Sequence, residues 1–149
     1  MRIERVGTPS TFSCEEIFDL AADVERYPEF LHLWRSARII KREPDRLLVE
    51  QVMGFGPVSL RFTSAATLRR PARIDISSSD PRFRECRLVL TITPASPVGC
   101  TLSLQADFSL RSSLLQPIVD RVLGSSLDGV MAAFESRARQ LYPRRGNAL

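Results

Sequence analysis

The sequence predicts an α+β fold in which a curved antiparallel sheet of about seven strands surrounds a long C-terminal helix. Two patterns support this class. Apolar and polar residues alternate through residues 58–68 and 102–110, which indicates strands with one buried and one solvent-facing side. Between Ser112 and Tyr142 the apolar residues instead recur every three or four positions, as on one face of a helix. A sheet with a single buried face needs a cover, and one long amphipathic helix can supply it.

The N-terminal region predicts a first strand followed by two short helices. Residues 3–9 have strand character, and Ser13 with Glu16 forms a capping box that starts a helix. Pro28 suits the first turn of a second short helix, because its missing N–H would have no partner there. We expect this second helix to end near Leu33.

Turn signals separate the remaining strands. About six strands are expected between residues 34 and 110, in addition to the first. Pro143 should end the long helix, and residues 143–149 are expected to fray. The whole chain, 1–149, is predicted to form one domain around one core. The segments rich in glycine, proline, serine or aspartate, as hairpin turns require, are 54–57, 69–72, 78–81 and 95–99.

Composition excludes several classes of protein. The chain is 44% hydrophobic and 26% charged, which is typical of a globular domain and not of a disordered one. No apolar run approaches the about 20 residues of a membrane-spanning helix, and the N-terminus has no apolar signal segment. We therefore expect a cytoplasmic protein, with the surface of the inner membrane as a second location consistent with the sequence. Three cysteines without CxxC spacing and a single histidine predict no disulfide framework, no zinc site and no cofactor.

The net charge of +4 is carried almost entirely by arginine. Such a surface suits RNA, anionic lipid or an acidic protein. No aromatic-interleaved RNA-binding motif accompanies the charge, so a solvated basic face is the simpler interpretation, and DNA is not an expected partner. The basic clusters are Arg35, Arg38, Lys41 and Arg42; Arg69, Arg70 and Arg73; Arg82, Arg84 and Arg87; and Arg144 and Arg145.

Catalytic motifs are missing from the sequence. It has no nucleophile elbow, no phosphate-binding glycine loop and no metal-ligand spacing. His32 is the one side chain whose ordinary pKa lies near neutrality. It could donate a proton to a ligand oxygen, but no acidic residue nearby would orient it, which favours a solvated histidine at a rim. We expect a protein that is not an enzyme.

Three stretches resemble one family. The segment DVERYPEFLHLW (23–34) is similar to the signature after the first helix of START-like (SRPBCC, polyketide cyclase/dehydrase) helix-grip proteins, in the branch of the coenzyme Q-binding proteins and the bacterial ribosome-association toxin. SSDPRFRECRLVLTITP (78–94) resembles the central hairpin of that branch. FSLRSSLL (108–115) and MAAFESRARQLYP (131–143) resemble its strand-to-helix junction and the end of its long helix.

The sequence also departs from this branch. His32, Leu33 and Trp34 stand where proline, tryptophan and cysteine are common. Leu90 replaces a usual tryptophan, and Asp80 replaces a usual glycine. The pocket is therefore expected to differ in shape from those of its relatives, and its ligand need not be their quinone.

The resemblance implies non-catalytic binding of an apolar ligand between sheet and helix. Ubiquinone or a related polyprenyl lipid is the leading ligand, supporting respiration or quinone biosynthesis. The first alternative is a toxin-like factor that binds the large ribosomal subunit, and the second is an enzyme of the polyketide cyclase or aromatase kind. The oligomeric state stays open.

The expected pocket takes its walls from the sheet, the short-helix region and the long helix. Each aromatic residue taken alone also fits an ordinary core. A ligand should enter past residues 27–34, and an interior without room for a ring would argue against a carrier. The candidate walls are Tyr27, Phe30, Trp34, Phe55, Phe62, Phe83, Leu90, Phe108, Val130 and Phe134, with His32 and Ser64 as candidate polar contacts.

Overall fold

The helices and strands follow one another in the predicted order. The computed structural model describes residues 2–7, 11–95 and 99–142. Their buried apolar side chains form one continuous core. In chain order the elements are β1 (Arg2–Val6), α1 (Cys14–Ala22), a 3₁₀-helix (Val24–Glu29), β2 (Trp34–Glu43), β3 (Arg46–Phe55), β4 (Val58–Arg69), β5 (Arg73–Ser77), β6 (Phe83–Pro94), β7 (Cys100–Leu110) and α2 (Gln116–Leu141).

Seven strands form one curved antiparallel sheet, which confirms the predicted α+β fold. From edge to edge their order is β1-β7-β6-β5-β4-β3-β2. Consecutive strands from β2 to β7 are neighbours, whereas β1 lies beside β7, with Ile3 opposite Ala106. The register shifts within β2 and at the start of β6. Such irregularities bend a sheet and increase its twist, which helps it to curve around a helix.

The predicted alternation appears in the burial of the strands. In β7 every second side chain from Cys100 to Leu110 is buried, and those between are half-buried. The same pattern runs through β3 from Leu47 to Phe55. The inner face meets α2, whose buried residues recur at helical spacing: Val119, Leu123, Leu127, Val130, Met131, Phe134 and Ala138.

The predicted capping box at the start of α1 is confirmed. The backbone N–H of Glu16 donates to Ser13 Oγ at 3.0 Å, and the Glu16 carboxylate accepts from the backbone N–H of Ser13 at 2.9 Å. Beyond this cap, Ile17 and Leu20 are buried and share a small cavity with residues of β7 and α2. The cap therefore begins a helix that packs beside the C-terminal half of α2.

Two boundaries in the N-terminal region differ from the prediction. The first strand ends at Val6 and not at residue 9, while residues 8–10 lie outside the described residues. The second short helix is a 3₁₀-helix that ends at Glu29, before the expected end near Leu33. After it, Leu31 and Leu33 are both buried while His32 between them is exposed. These three residues lie beyond the 3₁₀-helix, where the chain turns into β2.

The predicted turns join the strands where they are described. The β3–β4 hairpin turns at Gly56, whose φ of 64° lies in the left-handed region that glycine adopts without steric cost. Turns at 69–72 and 78–81 separate β4 from β5 and β5 from β6. Of the turn expected at 95–99, residues 96–98 lie outside the described residues, as does the tail at 143–149.

Replacing Gly129 with alanine should stabilise the protein. Gly129 lies in the interior of α2, and a Cβ atom placed there meets nothing within 4 Å. Alanine loses less backbone entropy than glycine when a helix forms, so we expect the free energy of unfolding to rise by about 0.5–1 kcal/mol. Urea unfolding followed by circular dichroism measures this difference. A loss of stability would show that α2 needs glycine at this position.

Candidate functional site

An apolar cavity lies between the inner face of the sheet and α2. Its volume is about 50 Å³, and strands β2 to β7, the 3₁₀-helix and α2 all contribute to its walls. The pocket expected from the family resemblance lies between these same layers. Six candidates from the sequence line the cavity: Tyr27, Trp34, Phe62, Ser64, Phe108 and Val130.

The remaining candidates lie outside the cavity wall. The Phe30 side chain is half-buried and packs its ring edge-on to Phe134, with ring centroids 5.5 Å apart. His32 is exposed to solvent. Four candidates are buried in the core without lining this cavity: Phe55, Phe83, Leu90 and Phe134.

Sequence reasoning missed more than half of the wall. Most of the missed residues are aliphatic and lie on the inward phase of strands or on the inner stripe of α2, where an ordinary core residue looks the same. Gln51 is different, since it is a polar residue on the apolar phase of β3, between Val49 and Met53. This mismatch between residue type and strand position marks Gln51 as a candidate site residue in the sequence itself. The missed residues are Val24, Leu33, Ala37, Val49, Gln51, Met53, Ala66, Ile76, Cys86, Leu88, Leu104, Ala106, Leu123 and Leu127.

The cavity is smaller than the predicted hollow. A closed apolar cavity that takes up benzene has a volume of about 150 Å³. The volume of about 50 Å³ found here is well below that and holds no ring-sized molecule. The expectation of a preformed ring-sized space is therefore corrected: the side chains of α2 and of the sheet pack closely enough to leave only a remnant between them.

One buried polar pair lies in the wall. Gln51 and Ser64 are only 8% and 2% exposed, on the adjacent strands β3 and β4. The Ser64 hydroxyl donates to Gln51 Oε1 at 3.1 Å. The amide nitrogen of Gln51 lies 3.7 Å from Met53 Sδ, which is a weak acceptor. The pair thus leaves an amide donor with little hydrogen bonding at the cavity wall.

Cys86 lines the cavity as a neutral thiol. Burial, with a smaller contribution from the charge of Asp80, raises the pKa of the Cys86 thiol to about 12. A thiol with such a pKa is protonated at neutral pH, and the thiolate is the reactive form. Cys86 therefore acts as a small apolar wall residue and not as a nucleophile.

Tyr27 ties the 3₁₀-helix to α1. Its ring is buried and meets Trp34 and Phe134 edge-on, with centroid distances of 5.2 and 5.8 Å. The phenol donates a hydrogen bond to the backbone oxygen of Ala21, near the end of α1. Burial raises the pKa of the Tyr27 phenol, and the charge of Asp23 adds to this. The phenol stays protonated and keeps its role as donor.

Replacing Tyr27 with phenylalanine should lower the free energy of unfolding by about 1–2 kcal/mol. The variant keeps the ring contacts but leaves the Ala21 carbonyl oxygen without its buried donor. Urea unfolding measures the loss. Replacement of Tyr142 with phenylalanine is the matched control, because that ring is only half-buried, and we expect a change below about 0.5 kcal/mol. Equal effects in the two variants would contradict the role of the Tyr27 hydroxyl.

Side-chain contacts hold the 3₁₀-helix against α2. Arg137 of α2 donates to the Glu29 carboxylate at 2.9 Å, and its guanidinium lies 5.3 Å from the centroid of the Phe30 ring. Hydrogen bonds from Arg26 and then from Arg137 lower the pKa of the Glu29 carboxyl. By contrast, backbone hydrogen bonds join each strand to its neighbours. The wall formed by α2 and the 3₁₀-helix is therefore the one that separates with the least loss of backbone hydrogen bonding.

Acidic partners neutralise much of the predicted basic surface. Four exposed arginines of the predicted clusters have no salt bridge to an acidic side chain within residues 2–7, 11–95 and 99–142. They are Arg35 and Arg42 on the edge strand β2, Arg69 at the end of β4 and Arg84 in β6. Arg144 and Arg145 lie outside the described residues. Within the predicted clusters, the closest ion pairs are Arg70–Asp19 at 2.9 Å, Arg82–Asp80 at 3.0 Å and Arg87–Asp75 at 2.7 Å.

Among the residues that the structure describes, no three His, Cys, Asp or Glu side chains come together as ligands of a metal ion. In the same part of the chain, no helix combines the length and the apolar content needed to cross a bilayer.

Known proteins resemble this chain along most of its length. The ribosome association toxin RatA of Vibrio cholerae is 26% identical over 132 residues, covering 89% of this chain and 92% of the toxin. The mitochondrial coenzyme Q-binding protein COQ10 homolog B of Xenopus laevis is 24% identical over 138 residues, covering 90% of this chain but only 57% of that protein. A START superfamily protein from Mycobacterium smegmatis has the same fold, with a TM-score of 0.78 at 20% identity, covering 94% of this chain and 98% of that one.

The family assignment agrees with the sequence resemblance and with the sheet that curves around α2. The matching family is described as polyketide cyclase / dehydrase and lipid transport, and the match extends over residues 11–135. This segment includes the 3₁₀-helix, all the strands from β2 to β7 and most of α2. The chain therefore belongs to the START-like polyketide cyclase / dehydrase and lipid transport family.

Proposed function

We propose that the protein binds an apolar small molecule in the cavity between sheet and α2, without catalysis, and that the ligand is ubiquinone or a related polyprenyl quinone. One observation carries this proposal: the cavity wall is apolar except for a single buried polar pair, Gln51 and Ser64. Ligand sites combine such walls with a few placed polar groups. The family description includes lipid transport, and one relative is named as a coenzyme Q-binding protein, which supports this class of ligand.

Ligand entry requires the cavity to widen. At about 50 Å³ the cavity excludes a quinone ring, which argues against a rigid carrier and requires one whose walls separate. The wall made by α2 and the 3₁₀-helix depends on ring contacts and on the Arg137–Glu29 ion pair, whereas the opposite wall is a hydrogen-bonded sheet. We assign the opening to this α2 wall. Burying about 400 Å² of prenyl tail would supply roughly 10 kcal/mol of gross transfer free energy, part of which offsets the separation of these contacts.

The chemistry of the cavity wall supports binding without catalysis. Among the described residues that line the cavity there is no histidine, carboxylate, lysine or arginine. The Cys86 thiol is protonated, and the Tyr27 phenol is engaged with Ala21. A cyclase needs a group that moves a proton at the substrate. Gln51 and Ser64 can orient a ligand but are poor acids and bases at neutral pH.

Fluorescence of the single tryptophan tests ligand binding directly. Trp34 lines the cavity, and a quinone in contact with an indole quenches its emission. Titration with a ubiquinone analogue that carries one isoprene unit should give saturable quenching. N-acetyltryptophanamide, titrated in parallel, corrects for collisions and absorbance. Organic extraction of protein from a quinone-producing host, followed by mass spectrometry, should also yield bound quinone. No saturable quenching together with no extracted quinone would contradict the proposal.

A second candidate function is association with the ribosome. Arg35 and Arg42 on the edge strand β2 provide exposed, uncompensated charge, and RatA of Vibrio cholerae is named as a ribosome association toxin. Phosphate contacts make such binding weaken steeply with salt. We expect salt-sensitive cosedimentation with the large ribosomal subunit, reduced at least tenfold by Arg35→Ser combined with Arg42→Ser. Arg70→Ser with Arg87→Ser removes the same charge from paired sites and is the matched control. No cosedimentation at low salt would exclude this function.

A further inference from the structure

The polar pair in the cavity wall has a defined hydrogen-bonding direction. Because the Ser64 hydroxyl donates to Gln51 Oε1, the amide oxygen already has a partner. The amide nitrogen carries two N–H groups, and its described contact is with the weakly accepting sulfur of Met53 at 3.7 Å. Gln51 is more than nine-tenths buried, so bulk water does not satisfy these donors.

From this arrangement we infer that Gln51 selects ligands whose ring carries an acceptor oxygen, and that this oxygen binds at β3 with the apolar remainder directed along the cavity. This inference rests on the proposed ligand-binding function and adds the residue that recognises the head group and the orientation in which the ligand lies. A quinone or ketone carbonyl accepts an N–H donor, whereas an aromatic hydrocarbon of the same shape leaves that donor unsatisfied. A site built around a buried polar group discriminates against a ligand that lacks its partner.

The pair is placed for this role by the strand register. Gln51 of β3 lies opposite Phe62 of β4, and Ser64 lies opposite Val49. The two polar side chains are therefore diagonal neighbours on the inner face, a position in which longer side chains meet. Phe62 lines the cavity beside them. A ring packed against Phe62 would thus have its edge at the Gln51 amide.

A pair of matched ligands tests the inference. Menadione and 2-methylnaphthalene have nearly the same shape, but only menadione carries carbonyl oxygens. Binding of each is measured by quenching of Trp34 or by the shift in melting temperature, in the wild type and in Gln51→Met. Met has a similar length without the amide. The Kd of menadione is divided by the Kd of 2-methylnaphthalene for each variant. The two ligands differ in hydrophobicity by the same amount in every variant, so this difference cancels when the ratios are compared.

We expect Gln51→Met to shift the Kd ratio about tenfold toward the hydrocarbon, as loss of one hydrogen bond predicts. Gln105→Met is the matched control, since Gln105 lies between the buried Leu104 and Ala106 and faces the other side of the sheet, and its ratio should equal that of the wild type. In Gln51→Met the Ser64 hydroxyl loses its hydrogen-bond partner, which can destabilise the protein. The double variant with Ser64→Ala removes that hydroxyl, so its Kd ratio is measured as well.

The outcomes separate the two proposals. Binding of neither ligand to the wild type would overturn the proposed function. Binding of both ligands with an unchanged ratio in both Gln51 variants would overturn the inference and leave apolar ligand binding intact. A ratio shifted in the Gln51 variants and not in Gln105→Met supports the inference.

Discussion

Replacing Phe108 with alanine is expected to lower the free energy of unfolding by about 3–5 kcal/mol. Phe108 is 8% exposed, and its ring lies 5.1 Å from that of Phe83, 5.6 Å from that of Phe55 and 6.4 Å from that of Phe62. Loss of this ring removes contacts with three strands at once and extends the existing cavity. The side chains around Phe108 already border the cavity. Few of them can therefore shift to fill the additional space that the alanine leaves.

The measurement is urea unfolding followed by circular dichroism. Phe108→Leu serves as a milder variant that remains measurable if the alanine variant fails to fold. Leu114→Ala is the control for a large apolar residue, since Leu114 is 83% exposed, and we expect a change within about 0.5 kcal/mol. A loss below about 1 kcal/mol for Phe108→Ala would show that the rings repack around the missing one.

Replacing Ala66 with leucine is expected to abolish quinone uptake while the protein stays folded. Ala66 is 1% exposed and lines the cavity from β4. The leucine side chain fills the space that remains between the sheet and α2. A ligand would have to enter this space to separate α2 from the sheet. Because a cavity of about 50 Å³ accommodates most of the added volume, we expect a change in unfolding free energy below about 2 kcal/mol.

Ala65→Leu is the matched control for this variant. Ala65 is the preceding residue of β4, on the opposite side of the sheet, where it borders an open surface groove with Thr63 and Ser77. The same alanine-to-leucine change at residue 65 should leave the quenching of Trp34 by the ubiquinone analogue unaltered. If Ala66→Leu binds the analogue with the wild-type Kd, the ligand lies elsewhere and the cavity is only a packing defect.

The fold was predictable because its signals are periodic and redundant. Alternation in β4 and β7 and helical spacing in α2 each repeat over ten residues or more, so single exceptions do not obscure them. The 3₁₀-helix is harder, because a six-residue element has too few positions to establish a period. The segment after it, with Leu31 and Leu33 buried and His32 exposed, has no period that separates a helix from a turn.

The site was predictable only in part, for a physical reason. An inward-facing strand residue reads the same in a sequence whether it borders a void or another side chain. Phe62 and Phe83 are ring neighbours with centroids 4.9 Å apart, yet only Phe62 lines the cavity. Gln51 could have been found, since a polar residue among the inward positions of β3 contradicts the surrounding pattern. The volume of the cavity depends on the distance between α2 and the sheet, and no local sequence pattern determines that distance.

The pairing of β1 with β7 also constrains the order in which the sheet can form during synthesis. Ala106 is synthesised about a hundred residues after its partner Ile3. The first strand therefore has no neighbour in the sheet until β7 has been made, and α2 follows later still. Contacts between such distant parts of a chain form slowly, because the intervening loop must close first. We expect the nascent chain to expose the apolar side of its unfinished sheet until α2 has been synthesised.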